Sequence, residues 1–510
     1  MNKLDTSNSN NYNYTTKHLE IHILGGIKTN KLESLRVTIS VQKPKQHNIL
    51  RQNIDLYNDN QVEKLVRKTA ERLEIGTSVA RRTLQDLTKE LENYRFILLQ
   101  KQEEAHKPYH KELTSIELRA AEAFLKKGNL LERTNEYIGS SGVIGEDVNR
   151  LLMYLIFTSR KTNNPLHCIS LGSSGVGKTH LQSKVSELIP QEDKIEITVL
   201  SANAFYYFNR TELQNKLILI EDLDGAESVL YPLRELQTKK RITKTVVHKD
   251  SRGESKTIHL VVEGPVAIAG CTTQESIYED NSNRSFLLYI DESEEQDKRI
   301  MNYQRRASAG KLNEQDEINA RELLKNVQRI LKPIKVINPF AEYLELPQSV
   351  FKPRRTNSHY LQFIEAITFY CQYQRSVSTD TQTGEMYIET TIEDIQEANN
   401  LITEVLLRKS DTITGATRNH LENLKDYLKK NNQTTFTNAE IRRNLRIKET
   451  TLRRYNNQLL LENYIKKVKG KKGQLYHFEI VNLDEYQELK GLIKNALDNC
   501  IAQINLATSP

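Results

Sequence analysis

No stretch of this sequence is apolar over the roughly 18 residues that a membrane-spanning helix needs, so a membrane protein is not expected. A secretory leader is missing as well. The opening residues, MNKLDTSNSNNYNYTT, are Asn-rich and polar and have no apolar centre, and residues 1–16 read as a disordered tail on a protein kept in the cytoplasm. Cysteine is scarce: Cys168, Cys271, Cys371 and Cys500 match no zinc spacing and no disulfide framework, which points to buried, reduced thiols. No repeat of fixed period divides the chain.

What is present is enough for several cores. At 510 residues the chain exceeds what one hydrophobic core usually serves, and roughly three folded units are expected. The pattern divides into an N-terminal α+β domain at 17–106, suited to oligomerisation or substrate contact, and an α/β unit with helical flanks and lid at 107–407. A small basic domain at 414–482 and a C-terminal helix or tail at 483–510 complete the chain. Net charge is only +7, but between Ile441 and Lys472 eleven Lys or Arg stand against two Glu. A charge run can be a solvated face; this one coincides with a recognisable succession of helices and strands.

The strongest motif is LHCISLGSSGVGKTHLQSKVSELI. A short apolar strand runs into Gly172, Ser173, Ser174, Gly175, Val176, Gly177, Lys178 and Thr179 and then into an amphipathic helix, the context a P-loop requires. Glycines let backbone N–H groups turn inward onto phosphate oxygens, and the helix N-terminus adds partial positive charge. Lys178 would reach the β- and γ-phosphates of ATP, and Thr179 would give its hydroxyl to Mg²⁺. Downstream, KLILIEDLDG delivers Glu221 and Asp222 to a strand's carboxyl end, where one carboxylate would hold Mg²⁺ and the other polarise water. The order Glu-Asp reverses the usual one, so their roles stay open, and Asp224 is a further acid. GPVAIAGCTT reads as another buried strand ending in Thr272 and Thr273.

From Ile242 to His248 and from Thr257 to Val262 two alternating runs flank a polar turn, a β-hairpin whose basic tip, with Lys249, Arg252 and Lys256, could serve solubility alone. In the basic domain, helix, turn, helix and a Lys-rich hairpin succeed one another in the order of a winged helix. Its second helix offers Arg453, Arg454, Asn456 and Asn457 to DNA. Lys466, Lys467, Lys469, Lys471 and Lys472 would form the wing; winged helices also dock proteins, and the charge favours DNA.

These strings resemble the AAA+ ATPases, and within them the minichromosome-maintenance branch, whose Ile-Asp-Glu-Phe-Asp string is similar to Ile220-Glu221-Asp222-Leu223-Asp224. The resemblance implies that Thr272 or Thr273 is a sensor 1 residue positioning the lytic water, that Arg284 in Asn-Arg-Ser-Phe is an arginine finger acting across a subunit interface, and that Arg354 or Arg355 is a sensor 2 arginine on the γ-phosphate. Arg284 could instead pair with nearby acids. Helicases of this branch project a basic hairpin into the central pore at the place of Lys249, Arg252 and Lys256, so the resemblance implies that these residues grip a phosphate backbone. IDLYND, RLLMYLIFTSR, LIEDLDGA and YPLRELQ extend the likeness to the ATPase part of mobile-element primase-helicase proteins, without their zinc-ribbon and toprim primase module. This resemblance implies a helicase, translocase or remodelling ATPase in a homo-oligomeric, hexameric ring on DNA, with a replication or transposition partner. A nucleotide-switched DNA-binding regulator and a helicase loader are the alternatives.

Overall fold

The computed structural model describes residues 3–8, 10–28, 33–44, 48–106, 111–198, 203–224, 230–249, 255–273, 283–347, 353–469 and 476–508. Two compact units result, Met1–Lys111 and Glu112–Pro510.

The first unit is an antiparallel meander, β1 (Lys3–Asp5), β2 (Asn11–Thr15), β3 (Glu20–Leu24), β4 (Arg36–Gln42) and β5 (Leu50–Asp55), followed by α1 (Asp59–Leu73) and α2 (Thr77–His106). The expected disordered tail is therefore replaced by two strands. Tyr12 and Tyr14 alternate with Asn11 and Asn13, and they pair opposite Ile23 and Ile21. Two buried aromatics on one face outweigh the Asn-rich composition. Their core partners include Leu65, Leu84, Leu87 and Leu91 of the helices. α1 opens on Asn58, whose side chain accepts from the Gln61 amide.

The second unit begins with α3 (Ser115–Lys126), started by a Thr114/Glu117 capping box, then α4 (Leu130–Ser140) and α5 (Asp147–Thr158), which is buried almost all round. Next come β6 (His167–Leu171), α6 (Lys178–Ser186), β7 (Lys194–Ile197), β8 (Lys216–Ile220), α7 (Leu230–Lys239), the hairpin β9 (Arg241–Lys249) and β10 (Ser255–Glu263), β11 (Val266–Thr272) and β12 (Phe286–Tyr289). β12, β6, β11, β8 and β7 lie side by side in that order, all parallel. Both faces are covered, which is why the strands read as unbroken apolar runs. Cys168, Leu217, Leu219, Ala269 and Leu288 share one cluster with α5, while Ile169, Leu171, Ile218, Ile220 and Ile268 pack in another with Phe205 and Leu236.

A helical part comes next: α8 (Glu294–Ser308), α9 (Glu314–Ile330), β13 (Lys335–Ile337), α10 (Pro353–Tyr370), β14 (Ser378–Thr379), β15 (Met386–Glu389) and α11 (Ile392–Ser410). The last elements are α12 (Gly415–Lys430), β16 (Thr435–Thr437), α13 (Asn438–Asn444), α14 (Glu449–Leu461), β17 (Ile465–Lys469), β18 (His477–Ile480) and α15 (Glu485–Thr508). β16, β18 and β17 form an antiparallel sheet beside three helices, with a core of Leu421, Leu424, Phe436, Ile441, Leu452, Leu459 and Phe478. The C-terminal segment is a helix, α15, and a full partner of the main core. Ile493, Leu497, Cys500 and Ile504 put one face of α15 into it against α11. All four cysteines are buried and unpaired. Among the described residues no helix is long and apolar enough to cross a membrane.

Candidate functional site

The loop Gly172–Gly177 joins the buried strand β6 to α6. Gly175 and Gly177 have φ of 86° and 99°, and a Cβ on either would meet nothing within 4 Å. Conformation, not crowding, demands glycine there, and the space above the loop is open. Gly172 is the reverse case, since a Cβ would come within 2.9 Å of Val176 and 3.1 Å of Glu292 Oε1. Lys178 is buried, and its Nζ donates to the carbonyls of Gly172 and Ser173 at 2.9 and 2.6 Å. Ser173, Ser174 and Thr179 are exposed around it. An open ring of bent backbone with a lysine at a helix N-terminus fits a polyphosphate.

Glu221 and Asp222 leave the carboxyl end of β8, both exposed. The Leu223 amide donates to the Cys271 carbonyl at 2.9 Å and carries the chain across to the end of β11. That bond brings Asp224 to the carboxyl end of β11. Its carboxylate accepts from the Thr272 hydroxyl, from the Thr273 hydroxyl at 2.8 Å and from the Thr273 amide at 3.2 Å. Partial burial pushes the Asp224 carboxyl up, but these donors and the charge of Lys178 outweigh it and hold the group below the ordinary carboxylate range. Asp222 accepts from the Asp224 amide at 2.9 Å. The third acid of the string is thus the one bound to both threonines, a role its spacing alone did not reveal. Cys271, missed as a site residue, lies beside Thr179 and Lys178; burial pushes its thiol up to about 11, so it is neutral. Among the described residues no group of three or more His, Cys, Asp or Glu could hold a metal by itself. A Mg²⁺ bound here would rest on Thr179, one or two carboxylates and phosphate oxygens, the arrangement that ion ordinarily takes.

Next to the loop is a cavity of about 130 Å³ whose walls include Val143, Ile144, Val176, His180, Ile290 and Tyr303. It is mainly apolar, and Gln296 donates to the Ile144 carbonyl at 2.8 Å across one side. No sequence pattern signals this cavity, because its walls come from three separate segments.

A second cavity, about 280 Å³, opens at the other edge of the sheet. His167 and Val266 lie there at the amino ends of β6 and β11, and Arg284 precedes β12. Arg355 lines the same cavity from the first turn of α10. Arg284 donates Nε to Thr238 Oγ1 at 3.1 Å. Five residues of β6, about 16 Å at the usual strand rise, separate this edge from the P-loop. The sequence places Arg355 before a helix and on the γ-phosphate; in the structure it is inside the helix and on the edge away from its own P-loop.

Of the expected nucleic-acid residues, Lys249 and Lys256 close the paired part of β9 and β10, and Arg252 lies outside the described residues. The base of this hairpin carries residues the sequence did not single out. Tyr207 and Tyr231 are 70% and 60% exposed, and Lys244 Nζ stands 5.4 Å from the Tyr206 ring. On α14, Arg453, Arg454 and Asn457 are exposed, but Asn456 is 2% exposed. Its amide donates to Asn438 Oδ1 at 2.8 Å, and its Oδ1 lies 3.1 Å from His420 Nε2. The expectation that it faces DNA is overturned because positions 452, 456 and 459 form the inward stripe of the helix. Lys466 and Lys467 are exposed on β17; Lys469 ends that strand, and Lys471 and Lys472 are outside the described residues.

Residues 115–333 match the MTBMA_p00010 P-loop domain, and the chain therefore carries a P-loop NTPase domain from α3 through α9. Among solved structures the chain is similar to a full-length MCM homolog from Methanopyrus kandleri, at 14% identity and a TM-score of 0.38, over 59% of this chain and 63% of that one. It thus spans less than two thirds of that protein. It is also similar to Drosophila ORC bound to DNA, at 12% identity and a TM-score of 0.21, over 74% of this chain and 94% of that one. Comparison with curated proteins gives no match.

Proposed function

We propose that the chain is an ATPase of AAA+ type that assembles into a closed ring and couples hydrolysis to movement along, or remodelling of, DNA. The observation that carries this is the division of the site between two edges of one sheet. Lys178, Thr179, the acids and the two threonines gather at the carboxyl edge, while Arg284 and Arg355 share a cavity at the amino edge. About 16 Å of strand lies between the edge that carries these arginines and the loop of their own copy, so a site with arginines on the transferred phosphate calls for a second copy, its amino edge against this carboxyl edge. Head-to-tail contacts of this kind close into rings.

In each site the loop amides and Lys178 would hold the phosphates, and the apolar cavity beside Val176 and Tyr303 would take the base. Mg²⁺, where bound, supplies charge neutralisation between the phosphates. Asp222 or Glu221 would orient the attacking water, with Asp224 holding Thr272 and Thr273 toward it. The strand order and the hairpin between β10 and β9 support the AAA+ assignment. The order α12, β16, α13, α14, β17, β18 supports a winged helix, with Arg453, Arg454 and Asn457 on the exposed side of its second helix. The exposed Tyr207 and Tyr231, with Lys244 over the half-buried Tyr206 ring at the hairpin base, suit stacking of single-stranded bases.

The test is ATP turnover with and without single-stranded and duplex DNA, in the wild type and in Lys178→Ala. DNA-stimulated turnover lost in the variant is expected. Turnover absent from the wild type, or equal in the two proteins, overturns the enzyme; turnover indifferent to DNA overturns the coupling.

A further inference from the structure

The amino-edge cavity contains more positive charge than two arginines. Lys240 and His359 line it with Arg284 and Arg355, and among the described residues none that lines it is Asp or Glu. Behind His359 stands Lys409 of α11. Its Nζ lies 3.3 Å from His359 Nδ1 and 5.7 Å from the centre of the Phe286 ring. An ammonium has only donors, so Nδ1 must be the acceptor, and the imidazole proton is fixed on Nε2. The ring is held in plane by Phe286, on which it stacks at 5.7 Å with 25° between planes. Phe286 is two residues from Arg284, so one strand end positions both the guanidinium and the histidine.

The charges agree with this geometry. Burial first, then the charges of Lys409, His167 and Arg355, push His359 down to about 2, so it is a neutral donor. Burial, with Arg355 adding to it, pushes Lys409 down to about 8. Lys240 acts on the Glu365 carboxyl, which burial otherwise raises. Lys240, Arg284, Arg355 and His359 converge on one cavity, an arrangement of donors that fits an anion from outside.

Resting on the neighbour-completed site proposed above, we infer that His359 donates Nε2–H to the terminal phosphate of the ATP bound by the adjacent copy, and that Lys409 is the positioning residue that fixes its tautomer. A neutral donor beside two guanidinium groups stabilises charge that grows on phosphate oxygens without adding a third full charge to the cavity.

The experiment mixes inactive variants of the full chain. Lys178→Ala has a dead phosphate loop and an intact amino edge; His359→Phe, which keeps a ring against Phe286 but has no N–H, has the reverse. Mixed rings then contain intact interfaces, and turnover is expected to return in the mixture although each variant alone has lost about tenfold or more. Arg284→Ala mixed with Lys178→Ala serves as the control. Recovery with Arg284→Ala but none with His359→Phe overturns the role of His359 and leaves the shared site standing. If Arg284→Ala neither loses turnover nor recovers it, the shared site itself fails. Lys409 is tested by Lys409→Arg, which keeps a donor to Nδ1, against Lys409→Met, which does not. A fall in kcat of about tenfold in Lys409→Met, with KM little changed and kcat restored in Lys409→Arg, is expected. Equal kcat in the two Lys409 variants overturns the positioning role. A poorly folded His359→Phe is recognised by its melting curve, and His359→Leu then replaces it in the same mixture.

Discussion

Glu292 accepts a hydrogen bond from the amide of Ser173 at 2.8 Å, so a residue just past β12 holds the phosphate loop by its backbone. The same carboxylate stands 3.1 Å from where a Cβ on Gly172 would be, which fixes glycine there. It also places a negative charge at the mouth of a site built for phosphates. Three residues back, the ring of Tyr289 fills the space where a Cβ on Gly415 would lie, and the Arg408 guanidinium sits 4.8 Å from the centre of that ring. The phosphate loop and the start of the basic C-terminal domain therefore touch the two ends of one short segment.

Glu292→Gln should bind nucleotide more tightly than the wild type. The substitution removes a carboxylate that repels phosphate but keeps an oxygen able to accept from Ser173. A gain of about 1 kcal/mol, roughly fivefold in Kd, is expected from partly exposed charges of this kind. Titration of a fluorescent ATP analogue measures it, and weaker binding would show that the carboxylate acts by shaping the loop.

Asp224→Asn should lower kcat about tenfold or more with a small effect on KM, because Asp224 binds Thr272 and Thr273 and not the loop. The sign of the pH effect follows from its depressed pKa. Its carboxylate contributes stability that is fully present above about pH 4, the ordinary value, and is lost as pH falls through the lower folded value. Denaturant unfolding of the wild type and Asp224→Asn between pH 3 and 7 should therefore differ most at the neutral end and converge in acid.

How much of this was legible in the sequence depended on whether the signal was local. The loop Gly172–Gly177, the acids after β8 and the threonines at the end of β11 are legible as strand ends because an apolar run leads into each. The hairpin β9–β10 was readable from period-two alternation. Residues whose role depends on distant segments were not. Asp224 is distinguished from Glu221 and Asp222 only by the bond from the Leu223 amide to Cys271, and Lys409 meets His359 across 50 positions of sequence. The first 16 residues read as a tail by composition, whereas the alternation of Tyr12 and Tyr14 makes a strand. Asn456 is polar yet inward, because positions 452, 456 and 459 share the buried stripe of the helix.

Arg418 should prove the main electrostatic anchor of the C-terminal elements. Its side chain is 2% exposed and donates to Asp411 at 2.7 and 2.8 Å and to Glu485, between the rings of Tyr464 and Tyr486 at 4.9 and 4.4 Å. Arg418→Met leaves the buried Asp411 without its cation, a loss of about 3–5 kcal/mol. Burial raises the Glu485 carboxyl, but Lys425 and Arg418 outweigh it and keep it below the ordinary range. This part of the stability is complete above about pH 4.5 and lost as pH falls through the depressed value. Chemical denaturation at pH 7, with limited proteolysis reporting release of α15, gives the comparison; an unchanged midpoint would refute the anchor.

On α14 two neighbouring asparagines should separate folding from DNA binding. Asn456→Ala removes a buried amide joined to Asn438 and His420, leaves those partners unsatisfied, and should cost about 1–3 kcal/mol of stability. Asn457 is exposed, so Asn457→Ala should leave the melting temperature within a degree or two, about what a surface change of under 0.5 kcal/mol produces. If α14 enters a DNA groove, that variant should lose affinity for the preferred sequence. Arg453 adds a third arm, because Glu449 holds it at 2.5 Å and also pairs with Arg442 at 2.9 Å. Glu449→Gln frees two guanidinium groups on the exposed side of the helix, and duplex DNA should then bind more tightly. The slope of log affinity against log salt should steepen by about one for each additional phosphate that is neutralised. An unchanged affinity and slope in Glu449→Gln, with Asn457→Ala also silent, would mean that this face does not meet DNA, and the basic domain would then be a platform for protein.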